Sequence, residues 1–198
     1  MKINSNEEPE ICEETKPSEN KEIVMQLLKK RVIVISGEIT QELAEKVITQ
    51  LLLLDYESND PITVYICSPG GHVDSGFAIF DIMRFINSPI TTIGVGWVAS
   101  IAVPIMMGAP KERRFALPNT RFLIHQPSGG AGGQAADIRI EAQEILKVRE
   151  RINRLLAEET GHPVEKIARD SDRNFWMTAQ EALEYGLIGE IISKRKSL

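Results

Sequence analysis

The sequence predicts a single-domain α/β fold in which helices cover a largely parallel sheet, and two observations lead to that prediction. From Arg31 onward, short apolar or β-branched runs alternate with stretches of helical periodicity. This alternation is typical of βαβ units, whose strands pair in parallel. The chain has 198 residues, 42% of them hydrophobic, which is enough for one sizeable core and favours a single domain.

The elements follow in a regular order. Residues 32–35 form a β-branched run that ends at Ser36-Gly37, and a helical pattern at 40–54 follows it. Pro61 restarts the cycle, giving a strand at 62–67, a helix at 73–87 and a strand at 90–95. A short helix at 100–107 and a strand at 121–125 come next. Ligands gather at the carboxyl ends of such strands, so we expect a site in the loops after residues 67 and 95.

A long amphipathic helix is predicted at 137–160, after a glycine-rich segment at 129–133. At 1.5 Å per residue it would be about 36 Å long, as wide as a small domain. Part of it should therefore protrude with an apolar stripe that another subunit covers, which predicts an oligomer. The alternative is a helix that lies flat on its own domain. A short helix at 178–187 and a strand at 188–192 close the chain before a basic tail.

Composition excludes several classes of function. The chain has 23 basic and 28 acidic residues, a net charge of −5, which argues against nucleic-acid binding. Cys12 and Cys67 suit reduced thiols in a cytoplasmic protein. Residues 1–22 are predicted to form a flexible polar tail without a secretory signal, and 23–198 a single domain. The uncharged stretch 93–110 is interrupted by glycine and proline and is short for a membrane span, so we expect no membrane association.

Three short segments supply the parts of a serine hydrolase. Ser100 follows a strand and opens a helix, so its hydroxyl would emerge at a turn with free backbone amides. His125 ends an apolar strand and could take the proton of that hydroxyl. The Gly70-Gly71 pair can bring backbone donors close to a ligand because no Cβ intervenes.

Each segment also has an ordinary structural interpretation. Serine is a preferred N-cap residue, so Ser100 could merely cap a helix. His125 could be a partly buried histidine with satisfied hydrogen bonds. The glycine pair could be a simple turn. Together, however, the three segments favour a catalytic site.

The ordered motifs resemble those of the proteolytic subunit of the ATP-dependent Clp protease, ClpP. They are Ser68-Pro69-Gly70-Gly71 with the helix after it, the Ala99-Ser100 turn, the segment from Arg114 to Pro127, and the segment from Glu181 to Ile188. The resemblance covers the chain from about residue 27 to 192. It implies a ClpP/crotonase-type fold of repeated βαβ units, in which the helix at 137–160 is the handle between rings.

The resemblance also implies a function. The family degrades unfolded polypeptides inside two stacked seven-membered rings, which an ATP-dependent unfoldase feeds. By position, Ser100 matches the nucleophile and His125 the general base, while the amides of Gly71 and Ile101 match the oxyanion hole. The residues implied in substrate binding are Gly70, Val73, Pro127, Ser128 and Gly129.

The chain departs from the family pattern at the third triad position, where Asn174 replaces an aspartate. An amide oxygen can orient the imidazole but cannot offset the imidazolium charge, so we expect low activity for this chain alone. Asp172 lies two residues away and could intrude, although with Arg173 it matches a pair used between rings. Pro104 could distort the helix after Ser100. Residues 21–26 lack the aromatic pattern that the family uses at its pore, which leaves the choice of chaperone open.

No cofactor is expected. The sequence has no G-x-x-x-x-G-K-[ST] motif, so ATP dependence must come from a partner. No H-E-x-x-H spacing occurs; His72 is expected to be solvated or near substrate, and His162 to lie at the surface. Two alternatives remain open: a structural or regulatory ring subunit that needs a second, active ClpP, and a crotonase-like acyl-CoA enzyme.

Overall fold

Seven α-helices, one 3₁₀ helix (Lys111–Arg113) and seven strands make up residues 19–130 and 132–195, the part of the chain that the computed structural model describes. The helices are α1 (Glu19–Lys29), α2 (Gln41–Glu57), α3 (Val73–Phe85), α4 (Ala102–Met106), α5 (Ala135–Thr160), α6 (Val164–Asp170) and α7 (Ala179–Tyr185). The strands are β1 (Val32–Ser36), β2 (Ile62–Ser68), β3 (Ile90–Ala99), β4 (Arg114–Ala116), β5 (Arg121–Ile124), β6 (Phe175–Thr178) and β7 (Glu190–Ile191).

The sheet is parallel along its main path and forks at β3. Its order is β1-β2-β3-β4-β7, with every neighbouring pair parallel. Residues 92–94 of β3 pair with β4, whereas residues 97–99 pair with β5, which continues the sheet to the antiparallel β6. The predicted α/β fold with a largely parallel sheet is confirmed.

Gly96 lies at the fork. Its φ of 65° is in the left-handed region, and the register between β2 and β3 shifts between Ile66 and Ser68 beside it. Because a side chain is strained at that φ, glycine allows β3 to change direction there. The last three residues of β3 therefore run along β5 and carry Ser100 toward the end of that strand.

Helices α2 and α3 bury apolar faces in one continuous core. Thr40 begins α2 as its N-cap, since its side chain accepts a hydrogen bond from the Leu43 amide at 3.1 Å. The buried residues of the two helices include Ala44, Val47, Leu51, Leu54, Phe77, Ile79, Phe80 and Met83. The carboxyl ends of β2 and β3, with the loops that follow them, are thereby held on a rigid base.

The handle helix α5 is half buried and half exposed. It is 26 residues long, about 39 Å at 1.5 Å per residue. Its buried residues all lie between Ile152 and Ala157. In its amino-terminal half, Ile138, Ile140 and Leu146 are 42%, 54% and 61% exposed. The predicted protrusion is confirmed, and a helix lying flat on its own domain is wrong for this half.

Glu159 ties the buried end of α5 to the core. Its carboxylate pairs with Arg84 of α3 and with Arg114 of β4, and Arg114 is 1% exposed. The Arg114 Nε also donates to the Ala109 carbonyl at 2.7 Å. Burial alone would raise the pKa of Glu159, but hydrogen bonds from Arg84 and Arg114 outweigh it and hold that pKa below its usual value. The buried guanidinium thus depends on this carboxylate.

Several boundaries differ from the sequence predictions. β3 extends four residues beyond the predicted end at 95, and α1, β4, α6 and β6 were not predicted. Residues 19–22 of the predicted tail belong to α1, and residues 1–18, including Cys12, lie outside the described residues. None of the described helices is long and apolar enough to cross a membrane.

Candidate active site

Ser100 stands at a sharp turn between β3 and α4. Its φ of 56° is in the left-handed region, which non-glycine residues rarely adopt and which costs on the order of 1–3 kcal/mol. Two hydrogen bonds hold it there: its amide donates to the Leu123 carbonyl at 2.9 Å, and its carbonyl accepts from the Val103 amide at 3.0 Å. This strand–turn–helix geometry is that of a nucleophile elbow.

The N-cap interpretation of Ser100 is wrong. The N-cap of α4 is Ile101, which has no side chain hydrogen bond to the helix. Pro104 does not distort α4 either, contrary to expectation. It is the third residue of the helix, where the amide would lack an intrahelical partner in any case. The hydrogen bond from the Ile105 amide to the Ile101 carbonyl, 3.2 Å long, continues past it.

The Gly70-Gly71 turn lies directly against Ser100. A Cβ on Gly70 would come within 2.6 Å of the Ser100 Cβ and 3.2 Å of its Oγ. A Cβ on Gly71 would lie 2.4 Å from the Ile39 carbonyl oxygen, and φ is positive at both glycines. Only glycine fits at these two positions, so the turn brings its backbone as close to the serine as packing allows.

Two backbone amides beside Ser100 are free to bind an anion. Among the hydrogen bonds of residues 19–130 and 132–195, none is donated by the amide of Gly71 or of Ile101. The neighbouring amides are occupied: that of Gly70 donates to the Ser68 hydroxyl at 3.1 Å and that of His72 to the Ile39 carbonyl at 2.8 Å. Free amides next to a serine hydroxyl are what an oxyanion hole requires.

His125 lies across a small apolar pocket from this turn. It immediately follows β5, is half-buried, and lines with Ser100 a cavity of about 20 Å³. The hydrogen bonds found in the described part of the chain include none from its ring, so it is not the internally satisfied histidine of the ordinary interpretation. In unliganded enzymes the bond between base and nucleophile often tightens only when substrate binds.

Asn174 is opposite His125 in the sheet register. β5 and β6 pair Leu123 with Trp176 and Ile124 with Phe175, so the next antiparallel pair is His125 with Asn174. Asn174 is exposed, and no hydrogen bond joins it to His125 within the described residues. The backbone thus brings the third predicted residue alongside the second without a formed side chain contact.

Asp172 is engaged elsewhere. Its Oδ1 accepts from the Arg149 Nη2 at 3.3 Å, and its carbonyl accepts from the Gln126 Nε2 at 2.7 Å. These contacts connect the segment before β6 to α5 and to the residue after His125. They argue against Asp172 as a substitute for Asn174.

The other predicted substrate residues border the same turn. Val73 and Pro127 line the pocket with Ile101 and Pro104, whereas Ser128 and Gly129 are exposed in the segment after it. Ile152 and Leu156 of α5 close the pocket and are not among the predicted site residues. Helical periodicity predicts an apolar stripe on the helix at 137–160 but does not indicate which residues of the site that stripe covers.

The other two histidines have structural roles. The His72 Nδ1 accepts from the Ser75 amide at 3.3 Å as the N-cap of α3. The His162 ring packs edge-on against Tyr185, with the ring centroids 4.6 Å apart, so this residue is only partly exposed and its Nε2 is buried. No group of three or more metal-ligating side chains occurs among the described residues.

The chain is similar to proteins of the Clp protease family over most of its length. A family model described as Clp protease matches residues 15–195. ATP-dependent Clp protease proteolytic subunit 3 of Rhizobium etli is 51% identical over 178 residues, covering 90% of this chain and 92% of the relative. Proteolytic subunit 2 of Treponema denticola is 48% identical over 184 residues, 92% of each chain.

A solved structure agrees with these relatives. An Asn-to-Asp mutant of ClpP1 from Listeria monocytogenes has a TM-score of 0.82 and 51% identity, covering 87% of this chain and 97% of that chain. The ClpP-type fold expected from the sequence is thereby confirmed. The chain belongs to the Clp protease family and is a ClpP-type peptidase subunit.

Proposed function

We propose that this subunit is a serine endopeptidase that cleaves unfolded polypeptide with Ser100 as nucleophile and His125 as general base. The observation that carries the proposal is the left-handed turn at Ser100, pressed between the Gly70-Gly71 turn and the pocket of His125. A strained serine with free amides on either side has a ready explanation in acyl transfer.

The reaction divides into two steps. The Ser100 Oγ attacks the scissile carbonyl carbon while His125 takes the hydroxyl proton, and the amides of Gly71 and Ile101 bind the oxyanion. The C–N bond then breaks as His125 returns the proton to the leaving amine. In the second step His125 deprotonates a water molecule, which attacks the acyl ester carbon. The ester C–O bond then breaks as His125 gives this proton to the Ser100 Oγ, which releases the second peptide as a carboxylic acid and restores the serine hydroxyl.

Asn174 is proposed as the residue that orients His125. The register of β5 and β6 supports this role. An amide oxygen can hold the imidazole in the right tautomer but supplies no negative charge, so turnover should be slow.

Substrate and assembly are proposed from the same surfaces. Gly70, Val73, Pro127, Ser128 and Gly129 would hold an extended substrate next to Ser100. The exposed stripe of α5 would be covered in two stacked heptamers, built from this chain alone or with a second ClpP. The relatives named subunits 2 and 3 support a mixed particle. We place it in the cytoplasm, with an ATP-dependent unfoldase that delivers substrate.

A regulatory ring subunit is the second candidate. Asn174 is exposed and has no hydrogen bond to His125 within the described residues, which favours a chain that is nearly inactive until an active paralogue joins it. The two candidates are separated by measuring peptide cleavage in a mixed particle whose second ClpP subunit carries an inactivating substitution. Any cleavage by that particle comes from this chain and supports the peptidase, whereas no cleavage supports the regulatory subunit.

Peptide hydrolysis by Ser100→Ala and His125→Ala tests the proposal. Both substitutions should abolish turnover of a short fluorogenic peptide without changing particle size. The nucleophile and its base act as one unit, so removing either residue costs about as much activity as removing both. Ser36→Ala, an exposed serine at the end of β1, serves as the matched control and should keep the parental rate. Hydrolysis near the parental rate by either of the first two variants refutes the assignment.

A further inference from the structure

Both tryptophans of the chain lie exposed on one face of the forked sheet. Trp97, in β3, is 41% exposed and Trp176, in β6, is 38% exposed. Arg121, in the strand between them, is exposed as well. Large aromatic side chains in water are unusual on the surface of a folded chain and call for an explanation.

The strand register puts the three side chains on the same face. Trp97 pairs with Arg121 across β3 and β5, and Trp176 pairs with Leu123, two residues further along β5. Paired residues face the same way and alternate residues share a face. The residues between them point to the core: Val98, Phe122 and Met177 are 0%, 0% and 2% exposed. We call Trp97, Arg121 and Trp176 the tryptophan strip.

Arg121 is a cation with no counter-ion in the part of the chain that the structure describes. Its guanidinium lies over the Trp176 ring, 4.4 Å from the centroid. It forms no ion pair or hydrogen bond with any residue of 19–130 or 132–195. The carboxylate of Glu181, three residues after the Thr178 that pairs with Arg121, is occupied elsewhere: its Oε2 accepts from the Thr178 amide at 2.7 Å and from the Thr178 hydroxyl at 2.8 Å. A stacked guanidinium keeps its N–H edge free, which matches a carboxylate.

The strip starts close to the catalytic residues. Arg121 begins β5, and His125 comes four residues later, directly after the strand, about 13 Å away at 3.3 Å per residue. Trp97 is three residues before Ser100, about 10 Å by the same rise. An extended polypeptide with its scissile bond at Ser100 would therefore reach the strip with a residue about four positions away.

We propose that the tryptophan strip is a substrate-binding surface for unfolded polypeptide segments in which an acidic side chain adjoins an apolar one. The carboxylate would bind the edge of Arg121, and the apolar neighbour would cover the exposed rings. This inference rests on the proposed peptidase function and adds a sequence preference to it, about four residues from the cleaved bond. Because the two tryptophans are the only ones in the sequence, their emission reports directly on the strip.

The binding experiment uses assembled Ser100→Ala protein, which holds peptides without cleaving them. Octapeptides that differ by one Glu or Gln beside a leucine are titrated while tryptophan emission is recorded. We expect a saturable change in emission, with the Glu peptide bound about fivefold more tightly, the scale of about 1 kcal/mol for a partly exposed ion pair. In the Arg121→Gln background the two peptides should bind equally, whereas Lys46→Gln, which removes one exposed charge from α2, should keep the difference.

Two results would overturn the inference. Equal affinity of the Glu and Gln peptides for Ser100→Ala protein with Arg121 intact would show that Arg121 does not select a carboxylate. Emission already shifted to the blue in the assembled particle and insensitive to every peptide would show that another subunit covers the strip. Hydrolysis of a short peptide, too short to reach Arg121, is measured separately on protein with Ser100 intact, so failure of the proposed peptidase function is distinguished from failure of the strip.

Discussion

Gly76→Ala tests the packing beneath Ser100, the proposed nucleophile. Gly76 is buried in α3, and a Cβ there would lie 2.2 Å from the Ile101 Cγ1, 3.2 Å from its Cδ1 and 3.4 Å from its Cβ. Ile101 is 1% exposed, so its side chain has no open space to enter. Alanine would gain about 0.5–1 kcal/mol from helix propensity, but overpacking a core costs about 1–3 kcal/mol. We expect the clash to win, with a net loss of about 1–2 kcal/mol.

The same substitution should slow catalysis. Ile101 follows Ser100 and supplies one of the two free amides, so a displaced side chain shifts the proposed oxyanion hole. A misplacement near 1 Å can cost about a hundredfold in rate. Ile101→Ala removes the two closest atoms, so the double variant should be less destabilised than the sum of the single variants.

The measurements are urea unfolding by tryptophan emission at a fixed subunit concentration, and peptide turnover per assembled site. The parent, Gly76→Ala, Ile101→Ala and the double variant are compared. Gly76→Ala protein as stable and as active as the parent would refute the packing argument. Strictly additive effects in the double variant would show that the two residues do not contact each other.

Three further predictions concern the rest of the molecule. Asn174→Asp should raise turnover per assembled site at least about tenfold, which is a lowering of the activation free energy by about 1.4 kcal/mol. An unchanged rate would show that Asn174 does not orient His125. Glu159→Gln should lower the free energy of unfolding by about 3–5 kcal/mol because it leaves Arg114 buried and unpaired, whereas the exposed Glu158→Gln should have little effect. Since the folded pKa of Glu159 is lowered, its contribution is present above the unfolded pKa and lost as pH falls through the folded value, so the gap between parent and Glu159→Gln in urea unfolding should narrow in acid. Leu146→Lys, at a position 61% exposed in the subunit, should reduce particle size in light scattering, and an intact particle would show that this part of α5 is not an interface.

The long periodic elements could be predicted from the sequence, and the short ones could not. Helices α2, α3 and α5 begin within two residues of their predicted starts, because their apolar faces repeat over many residues. β4 has three residues and includes the buried Arg114, so neither its length nor its composition indicates a strand. β6 owes its existence to its pairing with β5, a long-range contact that local propensity does not encode.

The candidate site was predictable in its residue types but not in its geometry. Ser100, His125 and the glycine pair could be proposed from their positions after strands. The left-handed φ of Ser100 depends on backbone hydrogen bonds with Leu123 and Val103, and no local sequence pattern predicts this φ. The fork at Gly96, which brings β3 alongside β5, likewise depends on tertiary pairing.

Reaction of the assembled protein with a fluorophosphonate tests the central claim most directly. Intact mass and peptide mapping would be measured for the parent, for Ser100→Ala and for His125→Ala. We expect one adduct per subunit, on Ser100, formed at a rate that falls sharply in the His125→Ala variant. Labelling of another residue, or no labelling of Ser100 either alone or after mixing with an active ClpP subunit, would contradict it.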